Sequence, residues 1–95
     1  MENGLTDQAL TTPDITATVK TFILERFLPG EDPQNLTTET PLLSGGVLDS
    51  ISTIELISFL EKHFGVKVEA YEIGEEHLDT LTRIAATVQS KLATR

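Results

Sequence analysis

Two stretches with a helical period flank a stretch that has none, and this arrangement limits the fold more than any other feature of the chain. Ile15, Val19, Phe22, Ile23 and Phe27 recur at spacings of 4, 3, 1 and 4, which puts them on one stripe of an α-helix. A second pattern runs from Ser50 to Phe64, with Leu56, Ile57, Leu60 and Phe64 on one face and Ile51, Ile54 and Ser58 on another. Between them, residues 29–48 are punctuated by Pro29, Gly30, Pro33, Asn35, Pro41, Gly45 and Gly46 and hold no period. A connection this long inside a small domain is either functional or tied down by apolar anchors of its own. Leu36, Leu42, Leu43, Val47 and Leu48 are the candidate anchors.

The element ends follow from local chemistry. Thr12-Pro13-Asp14 starts the first helix with a hydroxyl cap, a first-turn proline and an acid, and Leu28-Pro29-Gly30 stops it. Gly65 ends the second helix. Val66-Lys67-Val68 reads as an extended connector rather than a strand with a partner. Glu69 to Leu78 holds a short helical turn interrupted by Gly74, with Tyr71, Ile73 and Leu78 as its apolar contacts. Asp79 or Thr80 caps a last helix whose stripe is Leu81, Ile84, Ala85, Val88 and Leu92, and Lys91 and Arg95 complement the dipole at its end. Tyr71 and the four phenylalanines read as core. The fold class is therefore all-α, with three main helices, a short third helix and a long loop between the first two. Residues 1–12 read as a disordered leader and residues 13–92 as one domain.

Fifteen acidic residues against seven basic ones give a formal charge of -8 over 95 residues. That balance disfavours nucleic acid and anionic membrane surfaces as partners; it either favours basic docking patches or simply keeps a small domain in solution. The chain has no cysteine, so it contains no disulfide and no thiol of its own. Its first residues lack the basic and apolar regions of a signal peptide, and no run approaches the length of a membrane span. The default reading is a cytoplasmic monomer.

Chemistry concentrates at Gly45-Gly46-Val47-Leu48-Asp49-Ser50-Ile51-Ser52. The flexible glycines and two apolar residues lead into Asp49-Ser50, which places one hydroxyl at the start of a helix. Unpaired N–H groups and the dipole favour a phosphate ester there. The plain alternative is that Ser50 caps the helix. A small serine hydrolase is a further class, but no base can be identified for it. His63 and His77, the only histidines, lack the spacing of a metal or catalytic pair.

Gly46-Val47-Leu48-Asp49-Ser50-Ile51, followed by Ile54-Glu55-Leu56 and by Leu60-Glu61 and Phe64-Gly65, resembles the phosphopantetheine attachment site of acyl and peptidyl carrier proteins. The resemblance extends over about residues 14 to 92, through the first helix, Thr40-Pro41-Leu42 in the long loop, the Asp-Ser helix and the two later helices. It implies a four-helix carrier bundle that is not an enzyme. Ser50 would bear 4′-phosphopantetheine taken from coenzyme A by a phosphopantetheinyl transferase, and Asp49 would assist that loading. Acyl or aminoacyl cargo would ride as a thioester between a loading enzyme and a downstream synthase or transferase. Ile51, Ile54, Glu55 and Glu61 match the surface that partners read. Lys62 and His63 break the acidic run usual in fatty-acid carriers, and the connection Glu69–Thr80 is long. Both features point to free-standing carriers of specialised metabolism, of polyketide or nonribosomal peptide type, or of amino-acid activation. A fatty-acid carrier, or an interaction domain with Ser50 as a plain cap, is the alternative. The identity of the cargo is not written in these residues.

Overall fold

A computed structural model of the chain describes residues 11–93, and its order is α1 (Thr12–Phe27), α2 (Ser50–Phe64), α3 (Glu75–Leu78) and α4 (Leu81–Ala93). Short 3-10 turns at Pro33–Asn35 and Ala70–Glu72 lie in the connections, and there is no strand among the described residues. The expected all-α bundle of three main helices and a minor one is what forms. Residues 1–10 of the expected leader lie outside the described residues. Its last two do not belong to a leader: Thr12 is helical and Thr11 is the cap. The Thr11 hydroxyl accepts the Asp14 N–H, and the Asp14 carboxylate accepts the Thr11 N–H, which closes a capping box one residue earlier than the sequence suggests.

α1 packs chiefly against α4. Ile15, Val19 and Ile23 of α1 meet Leu81, Ile84, Ala85 and Val88 of α4 in one core, to which α2 adds Leu56, Ile57, Leu60 and Phe64. Phe22 and Phe27 sit at the rim of that core, half-buried. Phe22 stacks on Phe59 of α2 with centroids 4.0 Å apart, and Phe59 in turn stacks on His63 at 5.1 Å. Only Phe64 among the four phenylalanines is fully inside.

The loop between α1 and α2 is anchored as its leucines suggest. Leu36, Leu42 and Leu48 are buried, with Leu43 and Val47 half-buried beside them. It turns tightly before α2. A Cβ at Gly45 would collide with the Pro41 carbonyl oxygen, and Gly46 has φ +80°, where a residue with a side chain is strained even though the space is open. α2 ends at Gly65 in the left-handed region, and Val66–Val68 forms neither helix nor strand, with Val68 buried.

The connection to α4 differs from expectation. Gly74 does interrupt it and Leu78 is buried, but Tyr71 is 77% exposed and Ile73 45% exposed, so neither is core. The cause is Glu72. The 3-10 turn aims this acid inward, where its carboxylate pairs with Lys91 and accepts the Glu69 N–H, and its neighbours are turned out to solvent. Burial works against the charged form of Glu72, but the Lys91 ammonium and the Glu69 N–H outweigh it and hold the carboxyl below its ordinary value. Lys91 thus ties α4 to the connector rather than serving only the helix dipole; Arg95 lies outside the described residues. No helix among the described residues is long and apolar enough to cross a membrane.

Candidate functional site

The N-terminus of α2 is built by an acid that caps and a serine that does not. Asp49 has extended backbone and is the cap residue. Its Oδ1 accepts the Ser52 N–H at 2.7 Å, and its carbonyl accepts the Thr53 N–H at 2.9 Å and the Thr53 hydroxyl at 2.7 Å. Ser50 is the first helical residue. It is exposed, and its hydroxyl makes no hydrogen bond among the described residues. The reading of Ser50 as a plain helix cap is therefore corrected, because Asp49 already does that work. The N–H of Ser52, then its side chain, hold the Asp49 carboxyl below the ordinary aspartate value, so it is ionised at neutral pH.

These residues fit a phosphodiester. An exposed, unengaged hydroxyl stands in a first helical turn whose N–H groups have no carbonyl one turn back to bond. The approach is open on one side because Ile51 and Ile54 are 72% and 60% exposed and do not fold under the long loop. They form the expected second face of α2, with half-buried Ser58 further along it.

The two glutamates on this helix are differently employed. Glu55 accepts from the Arg26 guanidinium at 2.7 Å, a surface pair between α2 and α1. Glu61 is half-buried, and its Oε2 accepts the Val68 N–H at 2.9 Å, which braces the connector against the helix. Sequence reasoning placed both on an outward face. It missed the bracing role of Glu61 because the acceptor serves a backbone group seven residues on.

Of the two candidate caps of α4, Thr80 is the one that forms. Asp79 does not cap α4. Thr80 does, with its hydroxyl accepting the Arg83 N–H at 3.1 Å and its carbonyl the Ile84 N–H at 2.9 Å. Asp79 instead reaches the loop before α2, where Oδ1 accepts the N–H groups of Leu43 and Ser44, both at 2.8 Å, and Oδ2 accepts the Ser44 hydroxyl at 2.8 Å. The Ser44 N–H is the largest influence holding this carboxyl below its ordinary value, against the opposing effect of burial, with further help from the Ser44 hydroxyl and Leu43 N–H. An acid serving groups 35 and 36 residues away leaves no local sequence signal.

The histidines do not converge. His63 stacks on Phe59, whereas His77 stands edge-on to Tyr71 with centroids 6.1 Å apart. No group of three His, Cys, Asp or Glu among the described residues is placed to hold a metal ion.

Comparison with known proteins agrees with this geometry. Residues 23–88 match the family model described as a phosphopantetheine attachment site. A D-alanyl carrier protein of Streptococcus suis (strain 98HAH33) is 39% identical over 75 residues, covering 79% of this chain and 91% of that protein. One of Streptococcus mutans serotype c is 39% identical over 71 residues, covering 75% and 86%. Among solved structures, a chain in one described as the crystal structure of an FAD-dependent dehydrogenase superposes with a TM-score of 0.68 at 34% identity, covering 74% of this chain and 97% of that one. With its helices in the expected order around an exposed Asp-Ser helix start, this chain belongs to the phosphopantetheine-attachment family of carrier proteins, non-catalytic proteins whose prosthetic group is 4′-phosphopantetheine.

Proposed function

We propose that the chain is a free-standing aminoacyl carrier whose arm is attached at Ser50. The observation that carries the attachment is the Ser50 hydroxyl itself, exposed, free of hydrogen bonds among the described residues, and next to a carboxylate that relieves it of capping. In loading, Ser50 Oγ forms a bond to the β-phosphorus of the coenzyme A pyrophosphate. The bridging P–O bond breaks, 3′,5′-ADP leaves, and the serine proton passes to a base of the transferase. Asp49, ionised and one residue away, is suited to assist the transferase and its metal during that step. Once bound, the group supplies the thiol that this cysteine-free chain lacks and holds cargo as a thioester.

The choice of an amino acid as cargo is supported by the D-alanyl carriers, which align over most of their own length. An adenylating enzyme that activates a small amino acid is then the loading partner. Ile51 and Ile54 give partners an apolar contact beside the arm, with Glu55 at its edge and Glu61 offering one remaining carboxylate oxygen. Contacts of this size suit weak, reversible docking, while tethering keeps the cargo at high local concentration. Residues 13–92, with the cap Thr11 and the first helical residue Thr12 ahead of them, are proposed as the carrier domain.

Incubation with coenzyme A and a broad-specificity transferase tests the attachment. Intact mass should rise by one arm in the wild type and not in Ser50→Ala. No addition under conditions that load a control carrier sinks the proposal. Incubation of the loaded protein with ATP, an adenylating enzyme and a panel of amino and fatty acids tests the cargo. Acceptance of fatty acyl groups alone would return the chain to the fatty-acid class. A second reading has one observation behind it. The chain matched in the dehydrogenase structure is shorter than this one, since the aligned segment covers nearly all of it. It is therefore carrier-sized. On that reading the tethered cargo passes two electrons and two protons to FAD of a dehydrogenase, which bleaching of flavin absorbance on mixing would reveal.

A further inference from the structure

The geometry points to Asp79 as a positioning residue for the loading of Ser50. This inference rests on the reading of Ser50 as the attachment point. Both oxygens of the Asp79 carboxylate are spent on the turn that leads into α2: Oδ1 on the Leu43 and Ser44 N–H groups, Oδ2 on the Ser44 hydroxyl, each at 2.8 Å. The residue is only 8% exposed. A carboxylate in such a place is costly unless its lone pairs are satisfied, and here the loop satisfies them.

Beyond a charge interaction with Arg83 in the first turn of α4, the acid has no other visible task. Thr80 caps α4, so the start of that helix does not need the Asp79 side chain. What the side chain does is fix the segment between Pro41 and Asp49. Leu48 donates its N–H to the Leu42 carbonyl at 2.9 Å, and Gly46 to Leu43 at 3.2 Å, so the turn that Asp79 grips is continuous with the residue before the cap. Ser50 is reached two residues later. Leu42 also donates to the backbone carbonyl of Asp79 at 2.6 Å. That bond survives any change of side chain, so substitution isolates what the carboxylate does. The position of the attachment serine is in this way referred to the α3–α4 junction, 29 residues further along the chain and outside the surface around Ser50.

A residue that holds Ser50 in place acts on the chemical step after docking, whereas one that merely stabilises the fold acts through the folded population. The test uses the full chain, coenzyme A and a phosphopantetheinyl transferase, with kcat and KM for the carrier measured separately and the arm mapped by fragment mass. Val88→Ala, a core truncation in α4, serves as a stability control. Asp79→Ala should lower kcat about ten- to a hundredfold, because a small misplacement of a reacting group has effects of that size. KM should stay within about twofold, and hydrogen exchange at Leu43 and Ser44 should quicken by roughly tenfold or more. Val88→Ala should load normally under conditions where both variants are folded. Ser44→Ala should show a smaller loss of kcat. If Asp79→Ala does not fold, Asp79→Asn takes its place, keeping the shape and one accepting oxygen, and should fall between. Unchanged kcat in the Asp79 variant, or equal losses in it and Val88→Ala, overturns the positioning role. An arm mapped to a residue other than Ser50 overturns the attachment reading instead, whatever the Asp79 variant does.

Discussion

The chain contains the same local pattern twice, an acid, a hydroxyl and an aliphatic residue at the start of a helix: Asp49-Ser50-Ile51 before α2 and Asp79-Thr80-Leu81 before α4. The two are folded in opposite ways. Before α2 the acid caps and the hydroxyl is left free; before α4 the hydroxyl caps and the acid is sent to another part of the chain. The aliphatic residue follows suit, since Ile51 is 72% exposed and Leu81 fully buried. A shift of the cap by one residue decides which oxygen is available for chemistry and which is committed to structure. The α4 junction commits both its hydroxyl, as a cap, and its acid, as a clamp on the loop before α2. At α2 the acid alone caps the helix, by accepting the Ser52 N–H, and that releases a serine.

The largest consequence concerns loading. Ser50→Ala should abolish addition of the arm and change stability by no more than about 0.5 kcal/mol, as expected for a surface substitution that breaks no contact. Thr80→Ala should leave loading intact and cost about 1 kcal/mol of stability through the lost cap. Mass spectrometry and chemical denaturation on both variants check the pair. A stability loss in Ser50→Ala equal to that in Thr80→Ala would show that the two hydroxyls are not differently employed.

Next in size is the contrast of the aliphatic residues. Leu81→Ala removes a side chain from the core and should destabilise by roughly 2–5 kcal/mol. Ile51→Ala should sit within about 0.5 kcal/mol of wild type, yet raise KM for the transferase and the loading enzyme. Equal stability costs would mean that Ile51 is packed, and unchanged partner kinetics would remove it from the docking surface. The Asp49→Asn variant sharpens the same end of the helix. Asparagine keeps the cap but not the charge, so loading should slow while the melting temperature holds.

Much of this was legible from residue spacing. The stripes of α1, α2 and α4 and the second face of α2 with the exposed Ile51 and Ile54 follow from periodicity, which reports on the faces of regular helices, whereas the buried Leu36, Leu42 and Leu48 follow from the need of a long loop for apolar anchors. What was not legible lies where one long-range polar contact decides a side chain's direction. Tyr71 and Ile73 are apolar residues of a short turn, and nothing local says that Glu72 between them will turn inward to Lys91. Asp79 and Thr80 are equally good caps by residue type, and the choice is made by the N–H groups of Leu43 and Ser44, which only the folded loop brings near. At the site itself, Asp49 and Ser50 are recognisable as a helix start, but which of them caps is settled by backbone geometry.

The smallest effect expected is in the acid limb of stability, and it separates the two aspartates by how many bonds each has to lose. Both carboxyls are held below the ordinary value of 3.8, Asp49 by the Ser52 N–H first and Asp79 by the Ser44 N–H first. A depressed folded-state pKa means that the unfolded chain takes up the proton sooner. The stabilisation is therefore complete above the ordinary aspartate value and is lost as pH falls through the lower folded-state values. Asp79 accepts the two amides and the hydroxyl in a buried setting, whereas Asp49 is exposed and accepts the Ser52 amide. Thermal melts taken from neutral pH into acid should accordingly show a shallower acid decline in Asp79→Asn than in wild type, and a curve for Asp49→Asn closer to the wild type. If Asp49→Asn flattened the decline as much as Asp79→Asn, the exposed cap would be contributing as much pH-dependent stability as the buried clamp. The contrast between the two junctions would then rest on the hydroxyls alone.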